Sequence, residues 1–146
     1  MHGPSWTAAE RGRLLSVVLF DLDNFKTFND QHGHHAGDEA LCGFAGVLTR
    51  TTRRMNLSAR FGGEEFLSVL AGSDADGTMV FADRVRTALQ ARSFGGATLT
   101  VSAGVAVFHP GMRSPDELVA AADHALYQAK HEGRNCVRLF GHAGLK

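Results

Sequence analysis

Two pairs of acidic residues occupy positions where carboxylates could bind a metal ion. Asp21 and Asp23 follow an apolar, β-rich stretch, residues 14–20, that predicts a buried strand. Charge at the end of a buried strand is costly unless it is paired or bound to a cation. Because side chains alternate along a strand, the two carboxylates should share a face, and Leu22 can offer only its backbone carbonyl. Such hard oxygen ligands suit Mg2+, although two acids in a solvated turn are the alternative.

The second acidic pair, Glu64 and Glu65, follows two glycines, Gly62 and Gly63, between two short β-rich stretches. Glycines supply the positive φ of tight turns, so this order predicts a β-hairpin with an acidic tip. The absent side chains would also let a triphosphate approach the backbone. Two strands that end in carboxylates can bring them to one metal site, although an ordinary solvated hairpin is the alternative.

Three cations could offset the charge of a triphosphate: Lys26 and, much later in the chain, Lys130 and Arg134. Each of them alone is an ordinary surface charge, and only the combination with the acidic pairs indicates a site. The histidines of residues 32–35 lack a second cluster with ligand spacing, so no structural zinc site is predicted.

The composition is that of one folded domain. The chain has 146 residues, of which 44% are hydrophobic and 21% charged, and its fifteen basic residues balance fifteen acidic ones. No global field therefore attracts nucleic acid or an anionic membrane. No apolar run approaches the roughly 20 residues that span a bilayer, and the two cysteines lack paired spacing, so free thiols and a cytoplasmic location are expected.

Hydrophobic periodicity predicts an α+β fold in which helices pack on a mostly antiparallel sheet. Residues 1–13 show no sustained period and are assigned to an amino-terminal arm, and residues 14–146 to the domain. Ser114 and Glu117 form a candidate capping box for the last helix, and Gly133 is expected to end it. The predicted strands are residues 14–20, 58–61, 65–70, 99–107 and 136–140, and the first two predicted helices are residues 24–31 and 37–52.

Four ordered segments resemble the signatures of the GGDEF family of diguanylate cyclases. Residues 20–26 with 29–39 are similar to the first signature, and residues 60–66 are similar to the name-giving hairpin in its GGEEF form. Residues 102–105 and 122–135 match the two later signatures. The resemblance covers about residues 14–139 and implies a ferredoxin-like, palm-type fold.

The resemblance also implies roles for individual residues. Asp21, the carbonyl of Leu22, and Glu64 would hold Mg2+, with Mn2+ as the alternative ion. Glu64 would be the catalytic base for the ribose 3′-hydroxyl, and Lys26 and Glu65 would complete the catalytic group. The implied substrate-binding residues are Phe25, Asn29, His34, Asp38, Gly62, Gly63, Lys130 and Arg134. Asp38 is expected to favour guanine over adenine, because a carboxylate accepts hydrogen bonds from N1–H and the exocyclic amine of guanine.

The implied reaction joins two GTP molecules into cyclic di-GMP with release of two pyrophosphates. Each domain would hold one GTP, so a transient, two-fold homodimer is implied, with no nucleic acid and no membrane contact. A catalytically silent GTP-binding or cyclic di-GMP-binding regulatory module is the alternative. A class III nucleotide cyclase shares the chemistry but not the four signatures.

Two departures from the family pattern affect regulation. Residues 1–13 do not resemble the Asp-x-Leu-Thr segment that usually precedes the first strand, so a truncated or standalone catalytic domain is expected. The Arg-x-x-Asp motif of product inhibition corresponds to residues 53–56, where Arg53 is present but Asn56 stands in place of the aspartate. Asparagine lacks the charge that accepts hydrogen bonds from guanine and orients arginine, so product inhibition is expected to be weak.

Overall fold

The sheet has five strands in the order β2-β3-β1-β4-β5 in a computed structural model that describes residues 14–51 and 56–141. All neighbouring strands are antiparallel except β4 and β5, which confirms the predicted α+β class. The predicted arm, residues 1–13, lies outside the described residues. The strands are β1 Leu15–Leu22, β2 Leu57–Gly62, β3 Glu65–Ala71, β4 Val101–Val107 and β5 Val137–Leu139, and the helices are α1 Phe25–Thr51, α2 Ala75–Gln90 and α3 Pro115–His131.

The central strand β1 separates two hydrophobic clusters. Val18, Phe20 and Leu22 belong to the cluster under α1 and α2, whereas Val17 and Leu19 belong to the cluster under α3. This division follows from the two-residue period of a strand. The side chain of Phe20 is fully buried, and burial of a side chain of this size stabilises a fold by about 2–3 kcal/mol. The same alternation places Asp21, at the end of β1, on the α3 face of the sheet.

Helix α1 consists of two helical segments that meet at Gly33, where φ is 89° and ψ is 161°. The sequence predicted two helices, residues 24–31 and 37–52, and the structure narrows the gap between them to Gly33 alone. Glycine adopts a positive φ without the steric cost that a Cβ would add. The break redirects the chain, so the first segment lies beside the end of β1 and the second packs its buried residues, Ala40, Phe44 and Leu48, on the sheet.

Helix α3 lies very close to β4. A Cβ atom added at Gly104 would be 2.1 Å from the carbonyl oxygen of Ala122 and 2.3 Å from the backbone nitrogen of Leu126. Small residues on the helix, including Ala122 and Ala125, are fully buried against the sheet. Since α3 carries Lys130, this close contact determines how far that lysine lies from the sheet.

The predicted capping box of α3 is wrong in its details. Ser114 is the N-cap residue, but its side chain makes no capping hydrogen bond. The Glu117 carboxylate accepts a hydrogen bond from the backbone N–H of Arg113 at 3.1 Å instead of from Ser114. Gly133, with φ at 113°, follows the end of the helix as predicted. Among the described residues, no helix is long and apolar enough to cross a bilayer, and both cysteines are free.

Candidate functional site

A buried carboxylate at the end of β1 forms the centre of the site. Asp21 is only 5% exposed, and it forms an ion pair with the ammonium group of Lys130 from the last turn of α3. The two residues are 109 positions apart in the sequence. A lone buried carboxylate would be strongly unfavourable, so the lysine compensates for its desolvation.

The acidic hairpin tip lies beside Asp21. Glu65 is directly opposite Asp21 in the antiparallel pairing of β1 and β3, and the backbone N–H of Leu22 donates to the carbonyl oxygen of Glu64 at 3.2 Å. Asp21 and the two glutamates therefore lie together on neighbouring strands. The third acid is Glu64, which occupies the two-residue turn with Gly63 and is partly exposed.

The pKa of Glu65 is raised above its ordinary value of 4.5. Partial burial is the largest cause, the negative charge of Asp21 is the next, and the charge of Lys130 opposes both. Asp123 on α3 and Glu64 add smaller contributions in the same direction as burial. Asp123 is a neighbour that the sequence analysis missed, because only the packing of α3 on the sheet brings it near the hairpin.

The Glu65→Gln variant should be more stable than wild type at neutral pH. An acid with a raised folded-state pKa binds protons more readily in the folded chain, so stability falls as pH rises above about 4.5. Glutamine removes that loss, so its melting temperature should exceed that of wild type at pH 7–8, and the difference should disappear near pH 4. Thermal unfolding followed by circular dichroism, without divalent ions, measures this.

The matched control is Asp30→Asn, which removes an exposed carboxylate of α1. It should show no such pH-dependent gain. Equal melting temperatures of Glu65→Gln and wild type at pH 8 would contradict a destabilising effect of the ionised Glu65 carboxylate.

The glycines of the hairpin do not have the backbone conformation predicted from the sequence. Neither Gly62 nor Gly63 is among the described glycines with positive φ. A Cβ atom at Gly63 would meet nothing within 4 Å, and one at Gly62 would make ordinary contact with Glu65 at 3.7 Å. The turn therefore does not need these glycines for backbone geometry or internal packing. What they provide is an open backbone surface beside the carboxylates.

The donor set suits a hard divalent cation. Asp21, Glu64 and Glu65 supply three carboxylates, whereas Lys130 is the only cation that contacts Asp21 among the described residues. Within those residues, no group of three or more His, Cys, Asp or Glu side chains is arranged as a complete metal site. A bound ion would thus need backbone carbonyl and substrate oxygens as well. Mg2+ binds in this way, through one or two carboxylates together with phosphates and water.

A second polar position lies in α1. The Oδ1 atom of Asn29 is buried and has no hydrogen-bond partner, although buried acceptors are normally satisfied. A Cβ atom at Gly37 would lie 1.7 Å from this oxygen. Gly37 thus leaves the space that the Asn29 side chain occupies. The unpaired acceptor marks a place where a ligand donor is energetically favourable.

The remaining predicted site residues have different environments. Lys26, His34 and Asp38 are exposed on α1. Phe25 is buried and stacks on Phe28 with a centroid distance of 6.4 Å, so it belongs to the core, and its role in substrate binding stays a prediction. Arg134 is exposed, and its guanidinium donates to the carbonyl oxygen of Lys130 at 3.4 Å.

Asp23 differs from Asp21 although both are only 5% exposed. Its carboxylate accepts hydrogen bonds from the hydroxyls of Thr100 and Ser102 and from the backbone N–H of Asn135. The family resemblance implies a metal-binding role for Asp21 and not for Asp23, and in the structure the carboxylate of Asp23 is engaged by protein donors. Its partners lie 77 to 112 positions away in sequence, and no local pattern identifies them.

The predicted inhibitory motif is only partly described. Arg53 lies outside the described residues. Asn56 lines a cleft of about 320 Å³ together with Asp76 and Arg84 of α2.

Comparison with known proteins gives a consistent result. The family model described as "Diguanylate cyclase, GGDEF domain" matches residues 3–136. Diguanylate cyclase A of Treponema denticola is 36% identical over 137 residues, which are 91% of this chain and 37% of that protein. Diguanylate cyclase DgcM of Escherichia coli is 43% identical over 123 residues, 84% of this chain and 30% of that protein. The chain thus spans about a third of the length of these relatives.

Solved structures agree with the observed fold. The active GGEEF domain of a diguanylate cyclase from Vibrio cholerae matches with a TM-score of 0.87 and 32% identity, covering 92% of this chain and 87% of that one. The GGDEF domain of DgcB from Caulobacter crescentus, in complex with c-di-GMP, matches with a TM-score of 0.84 and 33% identity, covering 90% and 81%.

Proposed function

Because this chain belongs to the GGDEF family of diguanylate cyclases, we propose that it condenses two GTP molecules into cyclic di-GMP. The observation that carries this proposal is the convergence of Asp21 with the acidic hairpin tip beside Lys130. Carboxylates for a divalent ion next to cations for phosphates are the groups that phosphoryl transfer requires, since positioning and charge neutralisation dominate its catalysis.

The reaction consists of two equivalent steps. In each step the ribose 3′-oxygen of one GTP attacks the α-phosphorus of the other, the bond to the β-phosphate breaks, and pyrophosphate leaves. Glu64 accepts the proton of the 3′-hydroxyl. Lys26, Lys130 and Arg134 stabilise negative charge on the phosphates.

The family is generally metal-dependent, and the donor set here favours Mg2+, with Mn2+ as the alternative. Asp21, the Leu22 carbonyl and Glu64 are the residues that would hold the ion. When bound, the ion neutralises phosphate charge and lowers the cost of forming the attacking alkoxide. The three neighbouring carboxylates of Asp21, Glu64 and Glu65 support this part of the proposal.

Guanine recognition is assigned to α1. The unpaired Oδ1 of Asn29 can accept a hydrogen bond from guanine, and the exposed carboxylate of Asp38 can accept from N1–H and the exocyclic amine. Adenine has no N1–H, so it would leave these acceptors unsatisfied. His34 and Gly62 with Gly63 complete the nucleotide-binding surface.

A homodimer is part of the proposal. One chain holds one GTP, so the two bonds of the product require two sites that face each other about a two-fold axis. The open, glycine-lined backbone of the hairpin gives the partner's nucleotide access to Glu64. The dimer is assembled around the substrates and dissociates after product release. The cytoplasmic location and the weak product inhibition stay predictions.

The test is incubation of the purified chain with GTP and Mg2+, followed by chromatography of the products. Cyclic di-GMP should appear with GTP, not with ATP, and chelation of the metal should stop its formation. Binding of GTP without product at high protein concentration would contradict the proposal and favour a catalytically silent binding module.

The Gly37→Ala variant should lose GTP affinity while it keeps its stability. The added methyl group would displace the Asn29 side chain, and loss of one buried hydrogen bond to the ligand weakens binding about tenfold. Calorimetric titration with GTP measures the change, and thermal unfolding checks the fold.

Gly46→Ala is the matched control in the same helix. Its Cβ would lie 3.2 Å from the end of the flexible Arg50 side chain, which can move away. It should bind GTP like wild type. Equal GTP affinities of Gly37→Ala and Gly46→Ala would contradict a role of Asn29 in nucleotide binding.

A further inference from the structure

The carboxylate of Asp23 is a junction between three parts of the chain. It is 5% exposed and accepts a hydrogen bond from Thr100 at 2.7 Å, from Ser102 at 2.6 Å and from the backbone N–H of Asn135 at 3.0 Å. Two of these donors precede or belong to β4, whereas the third belongs to the turn after α3. A buried carboxylate with several donors is held firmly, because each hydrogen bond to a charged group is stronger than a neutral one.

The turn held by Asp23 has an unfavourable backbone conformation. Gly133, Arg134 and Asn135 follow α3 with φ values of 113°, 61° and 47°. Left-handed conformations are accessible to glycine but costly for arginine, and they persist only where the surroundings impose them. Hydrogen bonds on three sides impose them here.

The other two restraints on the turn come from helices. The backbone N–H of Arg134 donates to the carbonyl oxygen of Ala129 at 3.0 Å. The side chain of Arg86, on α2, donates to Oδ1 of Asn135 at 3.1 Å and pairs with Asp83. Asp23 supplies the only one of these bonds that connects the turn to the end of β1.

This turn determines where Arg134 lies. Its guanidinium donates to the carbonyl oxygen of Lys130, and Lys130 pairs with Asp21. Both cations of the proposed phosphate site are therefore presented from one short segment. Without the bond to Asp23, Arg134 could relax to a right-handed conformation and move away from Lys130.

We propose that Asp23 is a positioning residue for triphosphate binding, which holds the 133–135 turn so that Arg134 stays beside Lys130. This inference rests on the proposed function, since it assumes that Lys130 and Arg134 bind the β- and γ-phosphates. In this inference Asp23 acts through the turn, because its carboxylate oxygens are engaged by protein donors. It differs in this respect from Asp21, with which it forms the Asp-x-Asp pair of the sequence.

The test compares calorimetric affinities for 3′-deoxy-GTP and 3′-deoxy-GMP with Mg2+ present. These probes lack the nucleophilic hydroxyl, so no condensation occurs and binding is measured independently of turnover. Asp23→Asn should lower the affinity for 3′-deoxy-GTP about tenfold and leave the affinity for 3′-deoxy-GMP unchanged. Removing a negative charge near the phosphates would by itself strengthen triphosphate binding. A lower affinity for 3′-deoxy-GTP is therefore expected only if the substitution moves Arg134.

Thr100→Val is the matched control, because it removes another donor to Asp23 and leaves the turn bond in place. It should lower stability without changing the ratio of the two affinities. In an Arg134→Ala background, Asp23→Asn should lower the affinity for 3′-deoxy-GTP by no more than about twofold further, because the effects of residues that act through one contact are not additive.

An unchanged affinity ratio in a folded Asp23→Asn variant would overturn the inference. So would a wild type that binds 3′-deoxy-GTP no more tightly than 3′-deoxy-GMP, even if cyclic di-GMP forms in the activity assay. If Asp23→Asn does not fold, Asp23→Glu decides instead. It keeps the charge but moves the carboxylate away from the Asn135 N–H by one methylene group, so about a threefold loss of 3′-deoxy-GTP affinity is expected, and an unchanged ratio is the contrary result. Absence of product with the expected affinity ratios would leave the inference standing and overturn only the proposed activity.

Discussion

Glu64→Gln should form cyclic di-GMP at least about a thousandfold more slowly than wild type. Glutamine cannot accept the proton of the 3′-hydroxyl, and it is a poorer ligand for a hard cation. General-base catalysis alone contributes up to about ten-thousandfold, and the weakened metal site adds to that loss. The rate is measured by chromatography of timed reactions with GTP and Mg2+.

Two comparisons make this result specific to Glu64. Asp116→Asn removes an exposed carboxylate in the first turn of α3 and should leave the rate unchanged. Glu64→Gln should still bind GTP, because the residues assigned to the guanine ring and to the β- and γ-phosphates are unchanged. A rate within tenfold of wild type would exclude Glu64 as the catalytic base.

Gly104→Ala should destabilise the domain by about 3 kcal/mol or more. Its Cβ would lie 2.1 Å and 2.3 Å from backbone atoms of α3, so the whole helix would have to move away from β4. Backbone cannot give way as the end of a side chain can, and overpacking of this kind is at the upper end of measured costs. Urea unfolding followed by circular dichroism measures the change, and GTP turnover should fall as well because Lys130 moves with α3.

Gly63→Ala separates internal packing from access to the site. Its Cβ would meet nothing within 4 Å, so its stability should stay within about 0.5 kcal/mol of wild type. Cyclic di-GMP formation should nevertheless fall, since the methyl group occupies the surface assigned to the nucleotide. If Gly104→Ala unfolds at the same urea concentration as Gly63→Ala, the close contact between β4 and α3 is not what fixes α3.

Most of the fold could be predicted from local sequence patterns. The order of the strands and helices and the hairpin between β2 and β3 agree with the periodicity of the chain. The errors concern the partner of one side chain and the backbone conformation of one turn. Glu117 bonds to Arg113 and not to Ser114, and Gly62 and Gly63 lack the positive φ of a glycine turn.

The site could be predicted by residue type but not by contact. The family signatures imply that Asp21, Glu64 and Lys130 belong to one site, so the sequence alone predicted the chemistry to be tested. The spacing alone could not distinguish the environments of Asp21 and Asp23, although the family signature implies a metal-binding role only for Asp21. Alternation on a strand gives both the same face, whereas their actual partners, Lys130 and Asn135, come from distant segments.

Sequence by itself determined the class of fold, the family and the carboxylates and cations that are proposed for the chemistry, because these depend on residue types at short spacings. Tertiary structure alone decided that Lys130 pairs with Asp21, that Asn29 keeps an unpaired acceptor beside Gly37, and that α3 packs closely against Gly104. These features depend on distances of a few ångströms between segments far apart in the chain, and such distances are set only when both faces of the sheet are packed.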